Sequence, residues 1–201
     1  MKLGTGIMDT AEKVGRRTPE EESWQKKPEE ESRKKKAGRS RKKKVGRKKP
    51  IENEKETTDM SKVAVVYWSG TGNTAAMAAA VAEGAKEKGA EAVIFTSAEF
   101  RASMMDDYNA VAFGCPAMGA EVLEESEFEP MFLECESRLG GKKIALFGSY
   151  GWGSGEWMEI WEGNCANAGA QFVSDYVICN GAPDEGALAD CRALGAALAT
   201  A

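Results

Sequence analysis

The sequence predicts an α/β fold, a parallel sheet with helices on both faces. Three observations point there. Five short apolar runs alternate with helix-length segments over residues 61–201, the pattern of repeated strand–helix units. The runs are nearly continuously apolar, as in strands covered on both faces. Distinctive loops follow the first, third and fourth runs, at the strand ends where open α/β sheets bind ligands.

Lys62–Trp68 (KVAVVYW) is the first strand by its β-branched and aromatic content. Asn73–Lys88 is rich in alanine and reads as a helix ending near Gly89. Glu91–Thr96 reads as the second strand and Ala110–Gly114 (AVAFG) as the third. Glu124–Ser137 reads as an acidic helix, Lys143–Gly148 (KIALFG) as the fourth strand, and Glu156–Asn167 as a helix carrying Trp157 and Trp161. These tryptophans stand four apart, so core packing is their default. Gln171–Cys179 reads as the fifth strand and Asp184–Ala199 as the closing helix. About 140 residues suffice for one such domain.

Composition narrows the chemistry. The chain has no histidine, which removes the usual general base and the Ser/His and Cys/His nucleophile systems. Cys115, Cys135, Cys165, Cys179 and Cys191 form no Cys-x-x-Cys pair. Zinc, iron–sulfur and thioredoxin chemistry are thereby disfavoured, and an odd, scattered set fits reduced thiols in a cytoplasm. No apolar run reaches the roughly 20 residues of a membrane helix. Charge is divided: residues 1–59 hold 19 Lys and Arg against 12 Asp and Glu, a net of +7, and residues 60–201 hold 8 against 20, a net of −12.

The first loop, Ser69-Gly70-Thr71-Gly72-Asn73-Thr74, joins the first strand to the first helix. Free backbone N–H groups at such a helix start attract anions, phosphate above all. The glycines let the chain wrap an anion closely, and the hydroxyls add donors. The Walker lysine is missing, and Gly-x-Gly-x-x-Gly is not matched. A turn that merely caps a helix is the plain alternative. The second loop is Cys115-Pro116-Ala117-Met118-Gly119-Ala120-Glu121, and the third is Ser149-Tyr150-Gly151-Trp152-Gly153-Ser154-Gly155. Aromatic residues flanked by glycine in a surface loop suit a flat aromatic ligand; the alternative is a tryptophan folded back onto the domain.

Taken together, these residues resemble the short-chain flavodoxins of anaerobic bacteria. The resemblance runs through Val65–Thr74, Gly114–Gly119, Leu123–Pro130, Gly141–Lys143 and Leu146–Met158. It covers residues 61–201 and none of residues 1–59. It implies a flavodoxin-like three-layer sandwich with a five-stranded parallel sheet ordered 2-1-3-4-5, the order belonging to a fold for which flavodoxin is itself a standard example. It implies a soluble, monomeric one-electron carrier with non-covalently bound flavin mononucleotide (FMN). Its partners would be redox proteins that otherwise use ferredoxin.

By the same resemblance, Ser69, Thr71, Asn73 and Thr74 hold the FMN phosphate with the backbone of Gly70 and Gly72, and Ser149 contributes. Trp152, between Tyr150-Gly151 and Gly153, stacks on one face of the ring. Met118, after Pro116-Ala117, covers the other. Glu121 accepts from the pyrimidine-ring N–H. The Gly119-Ala120 peptide turns over as the ring takes up an electron and a proton, with Gly119 tolerating positive φ. Ala120 departs from the Gly, Asp or Asn of many relatives and puts the tuning of that step in question. At Pro116 some relatives carry serine. Cys115 reads as a small buried hydrophobe.

The acidic residues Glu121, Glu124, Glu125, Glu127, Glu129, Glu134 and Glu136 read either as a solvated helix face or, preferably, as a docking surface for basic partners. The rival to a carrier is an enzyme, an FMN-dependent quinone or azo reductase. Residues 1–59 read as a disordered, low-complexity basic extension: 12 of the 17 residues from Arg33 to Lys49 are Lys or Arg, and Lys-Lys-Lys-x-Gly-Arg occurs at 34–39 and 42–47. A nucleic-acid-binding tail is one reading of this run. The preferred one places the natural start at Met60, since Lys55-Glu56 can be encoded AAG-GAG, like a ribosome-binding site, three codons upstream.

Overall fold

Side chains of a strand alternate between faces, and the first strand uses both. In β1 (Lys62–Tyr67), Val63 and Val65 join one buried cluster and Ala64 and Val66 the other. These residues belong to a computed structural model that describes residues 60–201; the extension read at 1–59 lies outside the described residues. After β1 come α1 (Asn73–Glu87), β2 (Glu91–Thr96), a 3₁₀ turn (Ala102–Asp107) and β3 (Ala110–Gly114). Then follow α2 (Phe128–Glu136), β4 (Lys143–Tyr150), α3 (Glu156–Asn167), β5 (Gln171–Phe172), β6 (Val177–Asn180) and α4 (Glu185–Thr200).

All strand pairs are parallel, in the order β2-β1-β3-β4-β5, with β6 also on β4. The expected order holds. The expected fifth strand, Gln171–Cys179, is instead two pieces on the same edge. Val173 N–H still reaches the Ile144 carbonyl at 3.1 Å, but Ser174-Asp175 then leaves the ladder. Such turn-forming residues are tolerated because this is an edge.

One face of the sheet carries α1 and α4 over Val63, Val65, Ala112, Ala145 and Phe147. The other buries Phe113, Leu146 and Ile144 with Phe128 and Phe132 of α2 and Trp157 and Trp161 of α3. Phe132 meets Phe113 and Trp161 edge-to-face, with ring centroids 5.1 and 5.2 Å apart. The two tryptophans are therefore core, as expected. α1 and α4 approach backbone to backbone: a Cβ at Gly84 would overlap the Arg192 carbonyl, and one at Gly195 the Val81 carbonyl.

α2 starts four residues later than expected. Glu124 does not extend the helix; its buried carboxylate caps it. Oε2 accepts from the N–H groups of Glu127 and Phe128 at 2.8 Å each, and Oε1 from the Ser126 N–H at 3.0 Å and its hydroxyl. Burial pushes this carboxyl up, but the bonds from the Ser126 hydroxyl and from the Phe128, Glu127 and Ser126 amides outweigh it and hold it below the usual carboxylate range. The 3₁₀ turn had no clear sequence signal. Lys142 fixes its end, donating from Nζ to the Met105 and Tyr108 carbonyls at 2.9 and 3.0 Å.

Candidate functional site

Register places the ends of β1, β3 and β4 side by side: Tyr67 pairs with Gly114, and Gly114 with Phe147. The three loops therefore leave the sheet at one edge. Their approach is close, since a Cβ at Gly114 would overlap the Phe147 ring and one at Gly148 the Cys115 carbonyl.

The first loop leaves the start of α1 open. Gly72 sits at the start of α1 with φ 91°, a conformation that disfavours other residues, and no side chain caps the helix. The Ser69 hydroxyl accepts from the Gly72 N–H at 3.0 Å, which leaves its own hydrogen to donate. Thr74 and Ser149 are buried and their hydroxyl oxygens lie 3.2 Å apart. No Lys or Arg lines the adjoining cleft of about 230 Å³. Its walls are Gly70, Thr71 and Asn73 from the first loop, Pro116, Ala117 and Met118 from the second, and Ser149, Tyr150 and Gly151 from the third. Trp68 and Gly181 complete it. Sequence reasoning missed both. Trp68 was assigned to the strand, yet its indole lies under Gly70. Gly181 belongs to the Asn180-Gly181 turn after β6, a signal present in the sequence as an Asn-Gly pair at a fourth strand end.

The second loop is a small hairpin. Met118 and Val122 exchange N–H···O bonds of 2.9 and 3.0 Å, with Gly119, Ala120 and Glu121 at the tip. Gly119 has φ 48° and Glu121 φ 55°, the latter the one non-glycine residue of positive φ among the described residues. Glu121 Oε1 accepts from the Ser154 and Gly155 N–H groups at 2.8 and 3.0 Å, at the start of α3, where a carboxylate is favoured by the helix dipole. The second and third loops are thus tied together. A Cβ at Gly153 would overlap that carboxylate. Oε2 has no partner among the described residues.

Ser69, Gly72, Thr74, Gly119, Ala120, Glu121, Trp152 and Gly153 lie outside the cleft walls. Trp152 is 62 % exposed and Met118 36 %, so neither folds back onto the domain. Tyr150 does pack inward, 5.5 Å from the Trp157 ring. Cys115 is fully buried. It accepts from the Glu124 N–H through Sγ at 3.3 Å, and its carbonyl takes the Trp157 indole N–H at 3.3 Å. Burial pushes its thiol far up, so it is a packing residue, as its lack of cationic neighbours implied. The described residues hold no cluster of three metal-ligating side chains and no helix long and apolar enough to cross a membrane.

A donor-lined, cation-free cradle beside two exposed side chains fits a phosphate joined to a flat ring. The family model for flavodoxin matches residues 65–195. The flavodoxin of Megasphaera elsdenii is 44 % identical over 142 residues, 69 % of this chain and 99 % of that one. The flavodoxin of Clostridium beijerinckii is 43 % identical over 135 residues, 67 % and 97 % of the two chains. The solution structure of two-electron-reduced Megasphaera elsdenii flavodoxin superposes with a TM-score of 0.65 at 42 % identity, covering 69 % of this chain and 99 % of that one. The chain belongs to the flavodoxin family.

Proposed function

We propose that this protein is a low-potential one-electron carrier that binds FMN non-covalently and serves redox proteins that otherwise use ferredoxin. The observation that carries this reading is the uncapped start of α1, ringed by hydroxyls, with no Lys or Arg lining the adjoining cleft and with the side chains of Met118 and Trp152 exposed. When bound, FMN supplies the one-electron chemistry. The protein supplies the holding and the tuning.

The N–H groups of the first turn of α1, with the hydroxyls of Ser69, Thr71 and Thr74 and the Asn73 side chain, take the phosphate. Ser149 fixes the Thr74 hydroxyl from below. Met118 and Trp152 would flank the ring and exclude water from it. Glu121 Oε2 would accept a ring N–H, while Oε1 keeps the two loops at a fixed distance. The Gly119-Ala120 peptide sits at the hairpin tip, where Gly119 already has positive φ.

A net of −12 over residues 60–201 opposes further negative charge on the bound group. Bound FMN would therefore take its second electron at a much lower potential than its first. Partners dock on the acidic surface around Glu121, Glu125, Glu127, Glu129, Glu134 and Glu136; Glu124, which caps α2 from a buried position, is not part of it. The protein works as a monomer in a reducing cytoplasm, which its unpaired cysteines suit. It catalyses no substrate reaction, because two side chains cover the ring where a reductase leaves room for nicotinamide. A stepwise redox titration of the FMN-loaded protein tests this. Two well-separated couples are expected; overlapping couples, or rapid turnover of NAD(P)H by the protein alone, would contradict it.

A further inference from the structure

We propose that the groove between α2 and α3 is an anchoring socket for the partner protein. It receives one apolar side chain that is flanked on the partner's surface by Lys or Arg. The inference rests on the carrier reading above and adds to it the place where binding energy is concentrated.

The groove has a volume of about 170 Å³. That is enough to seat one apolar side chain. Buried Phe132, Trp157 and Trp161 contribute to its lining. Leu133 of α2 and Ile160 of α3 also line it, and they are 57 % and 61 % exposed. Large apolar side chains left this bare beside a preformed hollow are the usual makings of an interface centre.

Charge fixes what the occupant carries. The ionisable residues lining the groove are Glu121, Glu129 and Glu136, with no Lys or Arg. Residues 60–201 of a second copy, with their net of −12, are repelled; a basic surface is drawn in.

Position ties the groove to electron transfer. Val122 lines the groove and is bonded to Met118, and Trp157 packs on Tyr150 of the cleft wall. Glu121 lines the groove and also fixes the third loop. A side chain seated there holds the partner's surface against the flavin loops.

The test uses the full chain loaded with FMN and a ferredoxin–NADP⁺ reductase as the probe partner, with electron transfer followed by stopped flow. The double variant Leu133→Ala/Ile160→Ala removes exposed apolar surface and no charge. It is expected to raise the half-saturating concentration about tenfold, the loss typical of an interface anchor, with FMN affinity and both potentials unchanged. Glu129→Gln/Glu136→Gln is expected to flatten the ionic-strength dependence instead. If the alanine variant saturates as the wild type does while the glutamine variant loses its salt dependence, the socket is overturned and acidic docking stands. An equal loss toward ferricyanide, which needs no docking, would also overturn the socket. If the wild-type protein passes no electrons to the reductase, the carrier reading itself fails.

Discussion

Two glutamates that look alike in the sequence do different work. Glu121 has positive φ and ties the second loop to the third through two N–H groups. Charge-assisted bonds of this kind contribute about 1.5–3 kcal/mol each. Glu121→Gln is therefore expected to weaken FMN binding about tenfold, and Gly153→Ala, whose Cβ would displace the same carboxylate, at least as much; fluorescence titration checks both. Glu124 is a buried helix cap. Its carboxyl lies below its ordinary value in the folded protein. Its contribution is thus complete above the unfolded value of about 4.3 and is lost as pH falls through the folded one. The stability difference between wild type and Glu124→Gln, measured by urea melts, should be constant near neutral pH and shrink as pH falls below about 4.3. A difference that grows toward acid would contradict the cap.

At the scale of elements, the α1–α4 pairing depends on two glycines that let main chains touch. Gly195→Ala forces a methyl group onto the Val81 carbonyl and should cost about 3 kcal/mol in denaturant melts; a loss below about 1 kcal/mol would mean that the helices shift freely to admit it. Most elements were legible in the sequence. Glu91–Thr96, Ala110–Gly114 and Glu156–Asn167 have the bounds that their patterns gave, since short apolar runs bounded by turn residues mark buried strands and helix-length segments stand between them. What was not legible depended on tertiary context. Nothing local distinguishes the capping Glu124 from the helical glutamates after it. The break at Ser174-Asp175 needs a solvent-exposed edge to be tolerated. That the three loops meet was legible, because each follows a strand of one parallel sheet. Trp68 and Gly181 were not, because they enter the cleft only through the sheet register and the turn after β6.

For the molecule as a whole, the sheet gathers the loops at one edge, the helices seal both faces, and residues 60–201 carry a net charge of −12. All of this has function only if the edge holds FMN. The most direct measurement is titration of free FMN with the protein, read by flavin fluorescence, with riboflavin in parallel. Stoichiometric quenching of FMN is expected, with riboflavin bound at least tenfold more weakly for want of the phosphate that the α1 cradle holds. FMN fluorescence that persists at saturating protein, or equal affinity for the two flavins, would contradict the account.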